Sequence, residues 1–195
     1  ILKTAAEVDF SPIMEKFRES GVESIAIAFM NAFRNDANEA AALAKLQALA
    51  GDIPVCASTG VVPEKGEFER FSTCVLNAYL TPVIRTYLNT LAGELEGQGI
   101  SAPVNVMGSN GGVMTLDQAA QFAAGTFLSG PVGGAGGAVR ICEMAGVDDC
   151  ITFDMGGTST DVALIHQLMP RISHTNQIDA YPLQVPQLDI HTIGA

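Results

Sequence analysis

Apolar positions along the chain follow two rhythms: short unbroken runs, and spacings of three and four. Val8, Phe10, Ile13, Met14 and Phe17 fall on one side of a helix over residues 8–20, which Gly21 ends. Val22–Phe29 is a near-continuous apolar run, as expected of a parallel strand buried on both faces. The alanine-rich stretch Asn35–Ala50 has helical period and closes at Gly51, and Ile53–Ala57 is a second short buried strand. Strand, helix and strand at these lengths make one βαβ unit, so the chain reads as α/β.

After a loop over Ser58–Gly66, a helical pattern runs from Phe68 to Glu96. Pro82 lies inside it and should kink the helix or split it in two. Val104–Met107 reads as a further buried strand, and Thr115–Ala124 as a helix capped by Thr115. The glycine-rich stretch Phe127–Ala138 opens a helix that runs to about Ala145. Its small residues suit a close helix–helix contact, since the spacing fits no glycine-rich phosphate loop. Val147–Cys150 links this helix to two apolar runs, Ile151–Phe153 and Val162–Ile165, which flank a polar turn as a hairpin does. Leu168–Ser173 reads as a third strand, residues 174–186 as a proline-punctuated loop, and Leu188–Ile193 as a closing strand.

Charge narrows the partners. The 195 residues hold 10 Lys and Arg against 21 Asp and Glu, a formal net charge of −11, so neither nucleic acid nor an anionic membrane is an expected partner. No apolar run approaches the roughly 20 residues of a membrane span. Cys56, Cys74, Cys142 and Cys150 lack metal-ligand spacing and read as structural thiols of a reducing cytoplasm. The chain opens on Ile1 and stops just after an apparent strand, which suggests an internal piece of a longer protein.

The hairpin turn carries the chemistry. Asp154 ends the first strand, Gly156 and Gly157 free the backbone, and Thr158, Ser159 and Thr160 supply three successive hydroxyls before Asp161. Glycines let amide N–H groups converge on an anion, hydroxyls add donors, and a carboxylate at the strand end can organise Mg²⁺. A phosphate site needs such a set, whereas a plain connector does not. Two other segments stay open on their residues alone. Ser109-Asn110-Gly111-Gly112 is either a plain βα connection or a ligand-facing loop at a strand's carboxyl end. Asp189 and His191 alternate to one face of the last strand, as a metal pair or a solvated face. No Ser-His-Asp or Cys-His nucleophile constellation is present; the three histidines all lie late in the chain.

Ile151–Ile165 resembles the second phosphate motif of the actin-like ATPase superfamily, and its wording over Phe153–Val162 resembles the hydantoinase/oxoprolinase family (hydantoinase A type), a resemblance that covers essentially the whole chain and is most specific over residues 127–165 and 186–195. The resemblance implies a ribonuclease-H-like α/β fold in part, with mixed sheets and flanking helices. Residues 1–148 would end one lobe and include a small-residue hinge helix; residues 149–195 would start the next. It implies ATP-dependent opening of a cyclic amide of hydantoin or 5-oxoproline type through a phosphorylated intermediate. ATP and Mg²⁺ are the implied cofactors, with an option of a second divalent metal, and a hydantoinase-B-type subunit or domain is the implied partner. Gly156, Gly157, Thr158, Ser159 and Thr160 would hold phosphates, with Asp154 and Asp161 as catalytic carboxylates. Ser109, Asn110, Gly111 and Gly112 would contact substrate, and Asp154, Asp189 and His191 would serve metal. An ATP-dependent ketone carboxylase subunit and a non-catalytic nucleotide-gated module are the alternatives. The family's other nucleotide motifs lie outside these residues, so the piece alone is expected to be inactive.

Overall fold

The computed structural model describes residues 3–194, so Ala195, the last residue of the resembling stretch 186–195, lies outside the described residues. The chain divides into two compact units, residues 1–101 with 120–124 and 177–184, and residues 102–119 with 125–176 and 185–195.

The first unit contains the expected βαβ. Helix α1 (Ser11–Glu19) leads to strand β1 (Ile25–Ile27), helix α2 (Ala37–Ala50) and strand β2 (Val55–Ala57). The two strands pair in parallel, Ile25 with Val55 through Ile27 with Ala57. Only three residues of the apolar run 22–29 are strand, because the partner strand offers only three to pair with. Met14, Ile25, Ile27, Ala42, Leu46 and Ala50 form the core, with Phe10, Phe17 and Ile53 packed against it. The helical spacing of Phe10, Met14 and Phe17 along α1 and of Ala42, Leu46 and Ala50 on α2 put each set on one side, and burying those sides against β1 holds the unit together.

A single turn of helix, α3 (Ser58–Val61), then precedes α4 (Glu67–Gly97). Pro82 does not split α4, which is one helix of 31 residues. Hydroxyls around the proline take up backbone carbonyls: Thr81 donates to Asn77 O at 2.7 Å and Thr86 to Pro82 O at 2.8 Å.

In the second unit, β3 (Asn105–Met107) pairs antiparallel with β4 (Val113–Thr115). The buried strand expected at 104–107 is therefore an exposed hairpin arm, whose partner Val113 is 64% accessible. Helix α5 (Leu116–Gln121) starts on a reciprocal cap: Gln118 N donates to Thr115 Oγ1 at 3.2 Å, and Thr115 N to Gln118 Oε1 at 2.9 Å. The helix expected to Ala124 ends earlier, and Ala123–Thr126 forms a 3₁₀ turn.

Helix α6 (Ser129–Ala145) lies against a sheet of β5 (Cys150–Met155), β6 (Ser159–His166) and β12 (Ile190–Gly194) in the order β12-β6-β5. Its buried residues Val132, Ala135 and Cys142 recur at helical spacing, and Val132 and Ala135 join Ala163, Leu188 and Ile190 in the core. Strand β7 (Met169–Pro170) also pairs with β6, while β8 (Ile172–Ser173) pairs with β11 (Gln187–Leu188). The strand expected over 168–173 is thus two. The loop expected at 174–186 holds a pair of strands, β9 (Asn176–Ile178) and β10 (Tyr181–Leu183), turned at Asp179 with φ 53°. No helix of the described residues is long and apolar enough to cross a membrane.

Candidate functional site: a carboxylate-bearing hairpin under a helix

The antiparallel ladder decides which side chains meet. Asp154 on β5 faces Asp161 on β6, and Asp161 faces Thr192 on β12. Directly opposed residues share a face, with Cβ atoms roughly 5 Å apart, so Asp154, Asp161 and Thr192 form one row across three strands. Thr152, Ala163 and Ile190 make the next row on the same face. This is the face that α6 covers. Between helix and sheet lies a cavity of about 380 Å³, lined by Gly134, Gly137 and Ala138 above and by Thr152, Asp154 and Asp161 below.

Two like charges opposed on neighbouring strands repel. Asp161 is steadied by the Thr192 hydroxyl, which donates to its Oδ1 at 2.6 Å. Asp154 is exposed and has no side-chain partner among the described residues. The pair therefore offers oxygen ligands that the fold leaves unused, the hard donor chemistry that suits Mg²⁺.

Gly156 N donates to Ser159 O at 2.8 Å and closes a two-residue turn at Gly157 and Thr158. Neither Gly156 nor Gly157 takes a left-handed φ. A Cβ on Gly157 would meet nothing within 4 Å, and one on Gly156 only Ser159 O at 3.5 Å, an ordinary contact. Nothing in the described chain demands glycine at either position. A ligand approaching the backbone would demand it, since a Cβ would fill the space in front of the amides. Carboxylates and open cradle together fit a phosphate with its cation.

The remaining expected residues separate. Thr158 is exposed at the turn and Ser159 half-buried beside it, but Thr160 is buried and, by alternation, on the opposite face from Asp161. His191 faces Val162 on that opposite face too, and Asp189 lies 3.6 Å from it and 3.5 Å from Arg171. Asp189 and His191 are thus brought together, but not with Asp154, and no group of three potential metal ligands occurs among the described residues. The buried Ser109 hydroxyl donates to Gly125 O at 2.8 Å, and Ser109 O accepts from Leu188 N at 2.8 Å. Asn110 Oδ1 accepts from Gly112 N at 2.9 Å, and Gly111, at φ 86°, packs against Leu188. The close helix–helix contact expected of α6 is not made among the described residues: a Cβ on any of Gly130, Gly133, Gly134, Gly136 or Gly137 would meet nothing within 4 Å. Instead Gly134 and Gly137 roof the cavity. Sequence reading passed over Thr152 and Thr192, because only the strand register puts a hydroxyl beside Asp161.

Fold and site define a mixed α/β protein built on a strand–turn–strand that presents backbone amides and paired carboxylates. The chain belongs to the hydantoinase/oxoprolinase family, whose model matches residues 70–195. It is similar to the caprolactamase subunit alpha of Pseudomonas jessenii, 33% identical over 96% of this chain and 28% of that protein. The crystal structure of the ATP-dependent caprolactamase from that organism matches 94% of this chain and 27% of its own with a TM-score of 0.84 and 32% identity. It is also similar to 5-oxoprolinase of Saccharomyces cerevisiae, 33% identical over 100% of this chain and 15% of that protein. A third relative is the acetone carboxylase beta subunit of Xanthobacter autotrophicus, 30% identical over 89% of this chain and 24% of that one. The chain therefore spans less than a third of the length of these relatives.

Proposed function

We propose that the complete protein carrying this chain is an ATP-dependent hydrolase that opens a cyclic amide of the hydantoin or 5-oxoproline type. The observation that carries this reading is the Asp154–Asp161 pair facing the cavity beside a glycine turn that the fold itself does not need. Relatives named caprolactamase and 5-oxoprolinase support the substrate class.

An unactivated lactam resists water. Transfer of the ATP γ-phosphoryl group to its carbonyl oxygen would release ADP and activate the carbon; one water would then add there and the ring C–N bond break to leave an acyl phosphate, and a second water would release phosphate and the ring-opened carboxylate. Such chemistry asks the protein for positioning and charge stabilisation rather than for a nucleophile. The amides at Gly156–Ser159 and the Thr158 hydroxyl would orient phosphate oxygens. Asp154 and Asp161 would hold Mg²⁺, which when bound neutralises charge on the phosphates. Ser109–Gly112 would border the substrate, and Asp189 with His191 would line the site or take a second metal. Residues 1–148 and 149–195 would belong to successive lobes. A second subunit or domain completes this reading, since two relatives are named as subunits. The protein would work in the cytoplasm, and residues 1–195 alone would neither bind ATP tightly nor turn over.

The test is ATP hydrolysis by the complete protein with any partner subunit, against 5-oxoproline, hydantoins, caprolactam, and acetone with bicarbonate. Stimulation by one cyclic amide, lost in Asp154→Ala, is the expected result. Stimulation only with ketone and bicarbonate would move the protein to the carboxylases, the reading that the acetone carboxylase relative favours. ATP binding with no stimulation at all would leave a nucleotide-gated module.

A further inference from the structure

We propose that Thr192 is a positioning residue for the carboxylate pair: its hydroxyl holds Asp161 so that Asp161 and Asp154 receive a divalent cation together. This rests on the nucleotide-site reading of the hairpin and adds a residue from a different strand to it.

The geometry is specific. Thr192 is on β12, whose register places it opposite Asp161, and it donates to Oδ1 at 2.6 Å, a short hydrogen bond to an ionised acceptor. That bond is the only side-chain hydrogen bond of Asp161 among the described residues. It occupies Oδ1 and leaves Oδ2 without a protein partner. Threonine suits the task, since two heavy substituents on Cβ restrict χ1 and a strand favours that stiffness.

The opposed carboxylates supply the reason for such a device. With Asp154 directly across the ladder, an untethered Asp161 relieves repulsion by swinging away from its neighbour. A donated hydrogen bond opposes that swing by stabilising the charged carboxylate in the row. The pair then waits preorganised, and the cation does not have to assemble it. Thr192 is itself solvent-exposed, so its side chain has no core to support and the hydrogen bond is its visible role.

Manganese binding reads this without turnover. The complete protein is titrated with Mn²⁺ in the presence of ADP, and free Mn²⁺ is followed by electron paramagnetic resonance. Replacing a group that orients a metal ligand weakens metal binding by about 10-fold or more, the result expected for the near-isosteric Thr192→Val. Thr192→Ser, which keeps the hydroxyl, should recover most of the affinity. A Thr192→Val protein that binds Mn²⁺ as the wild type does overturns the proposal, as does equal weakening in Thr192→Ser. Wild-type protein that takes up no Mn²⁺ with ADP would overturn the nucleotide-site reading itself, which separates the two failures.

Discussion

Two carboxylate sites in this chain have opposite characters. In the first unit Glu39 is fully buried on α2, and its oxygens accept four hydrogen bonds: from Phe29 N at 2.9 Å, Ser58 Oγ at 2.7 Å, Thr59 N at 2.8 Å and Thr59 Oγ1 at 2.6 Å. Ser58 Oγ in turn accepts from Nε of the fully buried Arg70 at 3.0 Å, while Arg70 Nη2 donates to Phe29 O at 2.7 Å. In the second unit Asp161 has one side-chain donor and Asp154 none among the described residues. A carboxylate whose lone pairs are filled by its own fold has nothing to offer a ligand; it ties strand ends to helices. One that is open and set beside a second charge carries an unmet need that a cation meets. Acidic residues are thus told apart by what already occupies their oxygens.

The sharpest way to break this contrast is to remove each carboxylate and compare stability with function. Glu39→Ala should destabilise the protein by about 3–5 kcal/mol, because it strands four buried or half-buried donors, two of them backbone amides; urea unfolding measures this. Asp154→Ala should leave the unfolding midpoint where it is, yet lower substrate-stimulated ATP hydrolysis by about 100-fold or more, as loss of a preorganised charge does. If Asp154→Ala instead unfolds the protein while Glu39→Ala is silent, the assignment of the two sites is reversed.

Acid gives a smaller effect of known sign. Burial pushes the Glu39 carboxyl up, but the hydrogen bonds from Thr59, Ser58 and the Phe29 amide outweigh it and hold the group below its ordinary 4.5. A lowered folded-state pKa stabilises above the ordinary value and loses that contribution as pH falls through the folded one. Stability of the wild type should therefore drop more steeply below pH 4.5 than that of Glu39→Gln. The smallest effect concerns thiols in the first unit. Cys56 and Cys74 have sulphurs 3.7 Å apart; the contact with Cys74 lowers the Cys56 thiol, whereas the contact with Cys56 and burial push Cys74 up. Iodoacetamide on the native protein should label Cys56 before Cys74, as peptide mass mapping would show.

Much of this was legible in the residues. Apolar patterning placed α1, α2, α4 and both arms of the hairpin; on α2 it marks the buried side, whereas Ile151 and Phe153 of the first arm and Val75, Tyr79 and Val83 of α4 are exposed. The turn Asp154–Asp161 stood out because glycines and hydroxyls at that density serve no core. Pro82 misled, since the chain runs through it as one helix of 31 residues. The loop at 174–186 misled as well, because strands of three residues carry too little pattern to see.

Sequence by itself determined the α/β class, the family and the hairpin that bears the candidate chemistry, because these depend on local order and period. Tertiary structure alone decided which residues share that site. Register set Asp161 between Asp154 and Thr192, and alternation sent Thr160 and His191 to the far face. The reason is that a strand's two faces differ by a single residue, so membership of a site depends on pairing with other strands that no segment specifies alone.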